Sequence, residues 1–218
     1  MLKKIFSNTF FLFSFLLIII YCVGITGLIF APELFKAITP FNLLLSVFFV
    51  LYFDKSIKLN LIAYLLIVFC AGWCIEWLGV RTGLLFGTYS YGTTLGFRID
   101  NIPVLIGLNW FILSYCSANI VRSFFYSDNI IVQSLCSGIL MVLMDACIEP
   151  VCEKLDFWYW QNHVAPFQNY IAWFVFSSLF SYLFFKLKLD SNNSASRLLY
   201  LVQVFFFLSL LIRYSFYA

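Results

Sequence analysis

Long apolar runs broken by short polar stretches set the architecture of this chain. An α-helix needs about 20 apolar residues to cross a hydrocarbon core roughly 30 Å thick, and residues 9–30 give the clearest such run. Runs at 41–53, 60–80, 103–120, 129–149, 170–185 and 198–212 predict six more helices, seven spans in all. The second is short and follows Pro40, so it reads either as a tilted helix or as one extended back toward Leu34. The predicted fold is an all-α, polytopic integral membrane bundle, with residues 1–218 forming a single transmembrane domain.

The breaks between the runs are of two kinds. Asp54-Lys55-Ser56 and Asp190-Ser191-Asn192-Asn193-Ser194 are brief and polar and read as plain connectors. Residues 81–102 and 151–169 are rich in aromatic residues and punctuated by turn-forming Gly or Pro, too apolar for floating loops. Irregular backbone at membrane depth is tolerated only where it is buried in protein or lines a cavity. Both segments are therefore predicted to be structured outer loops folded over one mouth of the bundle. Gly83-x-x-x-Gly87 and Gly92-x-x-x-Gly96 match the small-residue pattern of helix dimers, but they fall in a loop, which discounts the match.

Composition removes several classes. With 63% hydrophobic and 11% charged residues and a mean hydropathy of +0.97, a soluble domain with a polar shell is excluded. With the N-terminus in the cytoplasm, Lys3, Lys4, Lys55, Lys58, Arg122, Lys186, Lys188 and Arg197 lie inside, against Lys36, Arg81, Arg98, Lys154 and Arg213 outside. That eight-to-five margin favours an N-in, C-out, multi-pass protein of the cell inner membrane. The first span follows Lys3 and Lys4 but is too long for a signal peptide and lacks a clear small-residue cleavage site, which favours an uncleaved anchor. The net charge of +3 is this basic loop excess; there is no basic stripe for a nucleic acid. Seven cysteines, an odd number without a Cys-x-x-Cys pair, read as small apolar packing residues.

Three carboxylates sit where lipid should make them costly: Glu76, Asp145 and Glu149 lie inside apolar runs. An intramembrane acid is a functional-site hypothesis by default, because it must be paired, protonated or wetted. At 1.5 Å per residue, Glu76 and Asp145 lie roughly 6 to 8 Å below the outer ends of their predicted helices, at a shared depth. Asp145 and Glu149 are four residues apart and so share a helix face, with Cβ atoms about 5 to 6 Å apart. Asn109 and Trp110, and Asn169 and Trp173, enter the same layer from two further helices. Plainer readings exist for each. Trp110, Trp158, Trp160 and Trp173 fit an interfacial aromatic belt, Glu149 fits a wet helix end paired with Lys154, and Glu76 and Asp145 fit interhelical hydrogen-bonding groups. His163 reads as a loop hydrogen-bonding residue rather than a ligand. A belt, however, does not account for three acids at one level.

What is missing narrows the chemistry. One histidine excludes the imidazole clusters of membrane iron oxygenases, and no Gly-x-Gly-x-x-Gly follows a strand. No paired-aspartate motif offers a clamp for magnesium and diphosphate. Acid–base work on an apolar substrate remains, with neither metal nor cofactor expected.

Five ordered blocks carry a family resemblance: E-W-L-G-V-R-T-G-L-L-F-G-T-Y-S-Y (76–91), I-P-V-L-I-G-L-N-W (102–110), D-A-C-I-E-P (145–150), F-W-Y-W (157–160) and A-P-F-Q-N-Y-I-A-W (165–173). Over about residues 70–173 the chain resembles the membrane carotenoid biosynthesis proteins that include the carotenoid 1',2'-hydratases. The resemblance implies a cofactor-independent hydro-lyase that adds water to the terminal C1'=C2' double bond of an acyclic carotenoid, giving a tertiary alcohol. Its implied partners are that carotenoid, water, the lipid bilayer and other enzymes of the same pathway. In such a reaction the Asp145 and Glu149 pair shares one proton, with Asp145, the deeper, as donor. Glu76, with Asn109 or Asn169, orients water and takes its proton. Tyr89, Tyr91, Trp110, Trp160 and Trp173 line the substrate and offer ring faces to a developing cation, and Trp158 joins them in binding the substrate. Two rivals stay open at this point: an isoprenoid cyclase starting from the same protonation, and a non-enzymatic carotenoid-binding protein.

Overall fold

The computed structural model describes residues 2–125, 127–189 and 192–216. All seven predicted spans are helical: α1 (Leu2–Phe30), α3 (Thr39–Phe53), α4 (Lys58–Thr82), α5 (Leu105–Phe124), α6 (Ile130–Cys152), α7 (Phe167–Lys186) and α8 (Ser194–Phe216). A short α2 (Pro32–Ala37) precedes α3 and settles the open reading at Pro40. Pro32 and Pro40 each sit in the first turn of their own helix, where a missing N–H costs nothing, so the segment is two helices bent at Ile38 rather than one tilted span. By length and composition α1, α4, α6 and α8 are able to cross a membrane. The chain is an all-α membrane protein.

Polar residues keep α5 and α7 below that mark, and they point inward. Ser114, Ser117 and Asn119 of α5 and Ser177, Ser178 and Ser181 of α7 are all buried. Helix α5 forms the axis, packing against α3, α4, α6, α7 and α8, and it is buried along most of its length. A helix that is enclosed on every side need not be apolar on any particular face. Helices α6 and α7 form the most extensive pair, whereas α1 lies mainly against α8 and α2.

The two loops do fold over one mouth of the bundle, and they do so as a small sheet. Strand β1 (Tyr89–Tyr91) pairs antiparallel with β4 (Trp158–Trp160), in the register Tyr89 with Trp160 and Tyr91 with Trp158. A second ribbon joins β2 (Arg98–Ile99) to β3 (Ile102–Pro103) through Asp100 and Asn101, both at positive φ as a tight two-residue hairpin turn demands. Asp100 ties that turn to α4, accepting a hydrogen bond from Trp77 Nε1 at 2.5 Å and an ion pair from Arg81. Gly83, Gly87 and Gly96 have positive φ and serve turns, so the small-residue spacing of this loop is not a helix-packing face.

Asp156 clasps the two loops. It accepts hydrogen bonds from the Thr93 amide (2.8 Å) and hydroxyl (2.5 Å) and from Tyr159 Oη (2.8 Å). Burial alone lifts its pKa, but the bonds from Thr93 and Tyr159 outweigh that and hold it below the ordinary carboxylate value. The clasp's contribution is complete above the ordinary value and is lost only as pH falls through the lowered one. Gly92 makes the fit possible, since a Cβ there would lie 2.2 Å from the Asp156 carbonyl oxygen. Gly92→Ala is expected to lower stability by about 1–3 kcal/mol, the usual cost of overpacking; thermal unfolding in detergent checks it.

The opposite end is locked as well, which corrects the reading of its loops as plain connectors. Asn193, buried, donates to the Val50 carbonyl (2.9 Å) and to Tyr115 Oη (3.1 Å), while Tyr115 donates to Asp54. Of that connector, Asp190 and Ser191 lie outside the described residues.

Candidate functional site

Strand alternation builds the site. Successive side chains of a strand face opposite ways, so Ser90 and Tyr159 turn outward while Tyr89, Tyr91, Trp158 and Trp160 turn into the bundle. Each strand serves one carboxylate. From β1, the hydroxyls of Tyr89 and Tyr91 donate to Glu76 Oε2 at 2.5 and 2.7 Å. From β4, the indole nitrogens of Trp160 and Trp158 donate to Glu149 Oε2 at 2.7 and 3.3 Å. Because the strands are paired, Glu76 of α4 and Glu149 of α6 are held by one ribbon.

Further donors come from the helices. Trp110 Nε1 of α5 donates to Glu76 Oε1 at 2.8 Å. Asn169, in the first turn of α7, divides its amide between Asp145 Oδ2 (2.8 Å) and Glu149 Oε1 (3.3 Å). The positive end of α7 thus faces two acids, favourable for negative charge. Among the described residues no salt bridge reaches Glu76, Asp145 or Glu149. Their charge is met by neutral donors alone. Burial first, and then the Glu76 carboxylate, push the Tyr89 and Tyr91 phenols well above the ordinary value of about 10. Both tyrosines therefore act as donors and not as bases.

The ribbon encloses a chamber lined by Glu76, Glu149, Phe86, Ile106, Asn169 and Trp173, with the four ribbon aromatics as its roof. Trp173 stacks on Trp110 with centroids 4.2 Å apart, and Gly72 of α4 leaves room for that stack, since a Cβ there would lie 2.7 Å from Trp110. The cavity measures about 10 Å³, room for about one water molecule.

A model of the carotenoid biosynthesis protein family matches residues 37–217. The chain belongs to the carotenoid biosynthesis protein family. No curated protein and no solved structure matches it.

In this carotenoid biosynthesis protein most of the expected site residues meet. Glu76, Glu149, Tyr89, Tyr91, Trp158, Trp160, Asn169 and Trp173 line one chamber, and Trp110 touches it through Glu76. Two do not line it. Asp145 lies behind Asn169, fully buried, with Oδ1 lacking any hydrogen-bond partner among the described residues. Asn109 lines a neighbouring cavity instead. It sits one residue before Trp110 on α5, and a step of about 100° around a helix with 3.6 residues per turn turns it away.

The plainer readings fare unevenly. Glu149 is not a wet end paired with Lys154, since its partners are Trp158, Trp160 and Asn169. The indoles bonded to Glu149 and Glu76 face the bundle, not a headgroup belt. His163 is a loop residue, 3.0 Å from Glu153 Oε2. Two residues that sequence reasoning missed also wall the chamber, Phe86 and Ile106. No chemical signal marks either one. Only their positions inside family blocks, Phe86 in 76–91 and Ile106 in 102–110, hinted at them.

Proposed function

We propose that this protein is a cofactor-independent hydratase acting on the terminal double bond of an acyclic carotenoid. The observation that carries the reading is one chamber, with room for one water, bounded by two carboxylates that neutral aromatic donors hold in place. Membership of the carotenoid biosynthesis family supports a carotenoid as the substrate.

The chemistry follows from what each group offers. A proton leaves the Asp145–Glu149 pair through Glu149, the member that faces the chamber, and bonds to C2' as the alkene π electrons move to it. C1' is left as a tertiary cation. Ring faces of Trp160, Trp173 and Tyr89 stabilise that charge, and the single water adds to C1' while Glu76 takes its proton. Glu149 carries the transferable proton, and Asp145, buried and with no hydrogen-bond partner for Oδ1 among the described residues, acts on it as the neighbouring acid. Asn169, bonded to both acids, couples them. General acid catalysis supplies about 10² to 10⁴ in rate, and preorganised electrostatics must supply the rest. By the excess of basic residues at the other end, the site lies at the outer face of the membrane.

Expression in a lycopene-producing host tests the proposal. A pigment heavier by one water per reacted end is the expected result. An isomer of unchanged mass instead makes the protein a cyclase, and lycopene recovered bound and unaltered makes it a carrier.

A further inference from the structure

The chamber is too small for its substrate. About 10 Å³ admits one water, while an elongated polyene about as long as a membrane is thick must lie elsewhere with only its tip at the acids. Two further cavities adjoin the chamber in turn through shared wall residues. The first, about 90 Å³, shares Ile106 and Trp158 with it as a common wall, and Trp158 is itself bonded to Glu149. The second, about 290 Å³, shares Leu28, Thr39, Asn42 and Phe206 with the first. It opens between α1 and α3, which meet only sparsely, and its outer lining includes Val23 and Phe41, 52% and 69% exposed on the lipid-facing surface.

The first cavity is not finished packing. Gln203 Oε1 and Asn42 Oδ1 are buried at its wall with no hydrogen-bond partner among the described residues, a condition that native interiors usually meet with ordered water, so water as well as a chain has a place in this cavity. Asn109 also reaches it, which gives that residue a place outside the acid chamber. Lys36 and Thr39 add polar groups, and the rest of the lining is aliphatic and aromatic, as expected where a mostly hydrocarbon chain is held.

We propose that these two cavities form a lateral substrate channel, which admits an elongated isoprenoid chain from the membrane between α1 and α3 and brings its tip past Ile106 and Trp158 to the carboxylate chamber. The inference rests on the hydratase reading for the identity of the chain's reacting end, but the channel is tested without turnover. Gly24 of α1 lines the second cavity, where a Cβ meets Phe206 in ordinary contact at 3.5 Å, so a large side chain there extends into the passage.

The test is bound pigment. The full chain carrying Glu149→Gln, purified from a lycopene-producing host, is compared with the same protein also carrying Gly24→Trp or Val23→Trp, and with Leu135→Trp on the exposed face of α6 as control. Both channel variants are expected to hold at least tenfold less lycopene per protein, while Leu135→Trp holds as much as its parent. Circular dichroism and elution volume verify folding, and the half-exposed Val23 keeps the test usable if Gly24→Trp fails to fold. Lycopene retained at the parent's level by folded channel variants overturns the channel. The two readings fail separately. Pigment lost from the channel variants but never hydrated by the native protein removes the hydratase and leaves the channel, whereas hydration undiminished with the passage filled removes the channel alone.

Discussion

Glu149→Gln is expected to reduce conversion of an acyclic carotenoid by about 10² to 10⁴, the usual contribution of a positioned general acid, with the protein still folded. The amide keeps the shape of the side chain, and its carbonyl still accepts from the Trp160 indole that Glu149 holds at 2.7 Å. What it loses is a transferable proton. Asp145→Asn is expected to cost less, because Asn169 stands between Asp145 and the chamber and the acid acts through its neighbour. Pigment analysis from cells expressing each variant at matched levels distinguishes the two. If Asp145→Asn proves the more damaging, the proton leaves from Asp145 directly and the chamber must open further inward than this structure shows.

The sequence announced this site better than it announced the machinery around it. Apolar runs gave seven of the eight helices, all but the short α2, and acids inside those runs gave Glu76, Asp145 and Glu149, because a carboxylate in lipid has few innocent explanations. The ribbon was harder to see. Tyr89-Ser90-Tyr91 and Trp158-Tyr159-Trp160 both alternate with period two, but strands of three residues separated by 66 positions carry no signal that they pair. Their register, fixed by the Asp156 clasp and by backbone bonds such as Gly92 N–H to the Phe157 carbonyl at 2.9 Å, is a tertiary fact. Depth along a helix was legible, since rise per residue is constant. Direction was not: adjacent residues Asn109 and Trp110 share a depth yet serve two cavities. Nor could spacing alone say that Asn169 would screen Asp145 from the chamber, because that depends on how α7 packs on α6.

Glu76 separates the structural work of the acids from the chemical work. It accepts from Tyr89, Tyr91 and Trp110, three buried or half-buried donors contributed by the ribbon and by α5. Glu76→Leu strands all three, and an unsatisfied buried donor costs about 1–3 kcal/mol. A loss of roughly 3 to 9 kcal/mol follows if little of the lid relaxes, enough to release the ribbon and broaden the near-ultraviolet dichroism of its tryptophans. Glu76→Gln gives the contrasting result. Its carbonyl oxygen still accepts, so most of the stability returns, yet the group can no longer take a proton from water, and conversion falls by about 10² or more. Thermal unfolding and pigment mass together read the two effects. Should Glu76→Gln be as unstable as Glu76→Leu, the carboxylate's charge is what holds the ribbon down. Should it hydrate carotenoid at the native rate, Glu76 anchors the lid and the proton of the attacking water goes elsewhere.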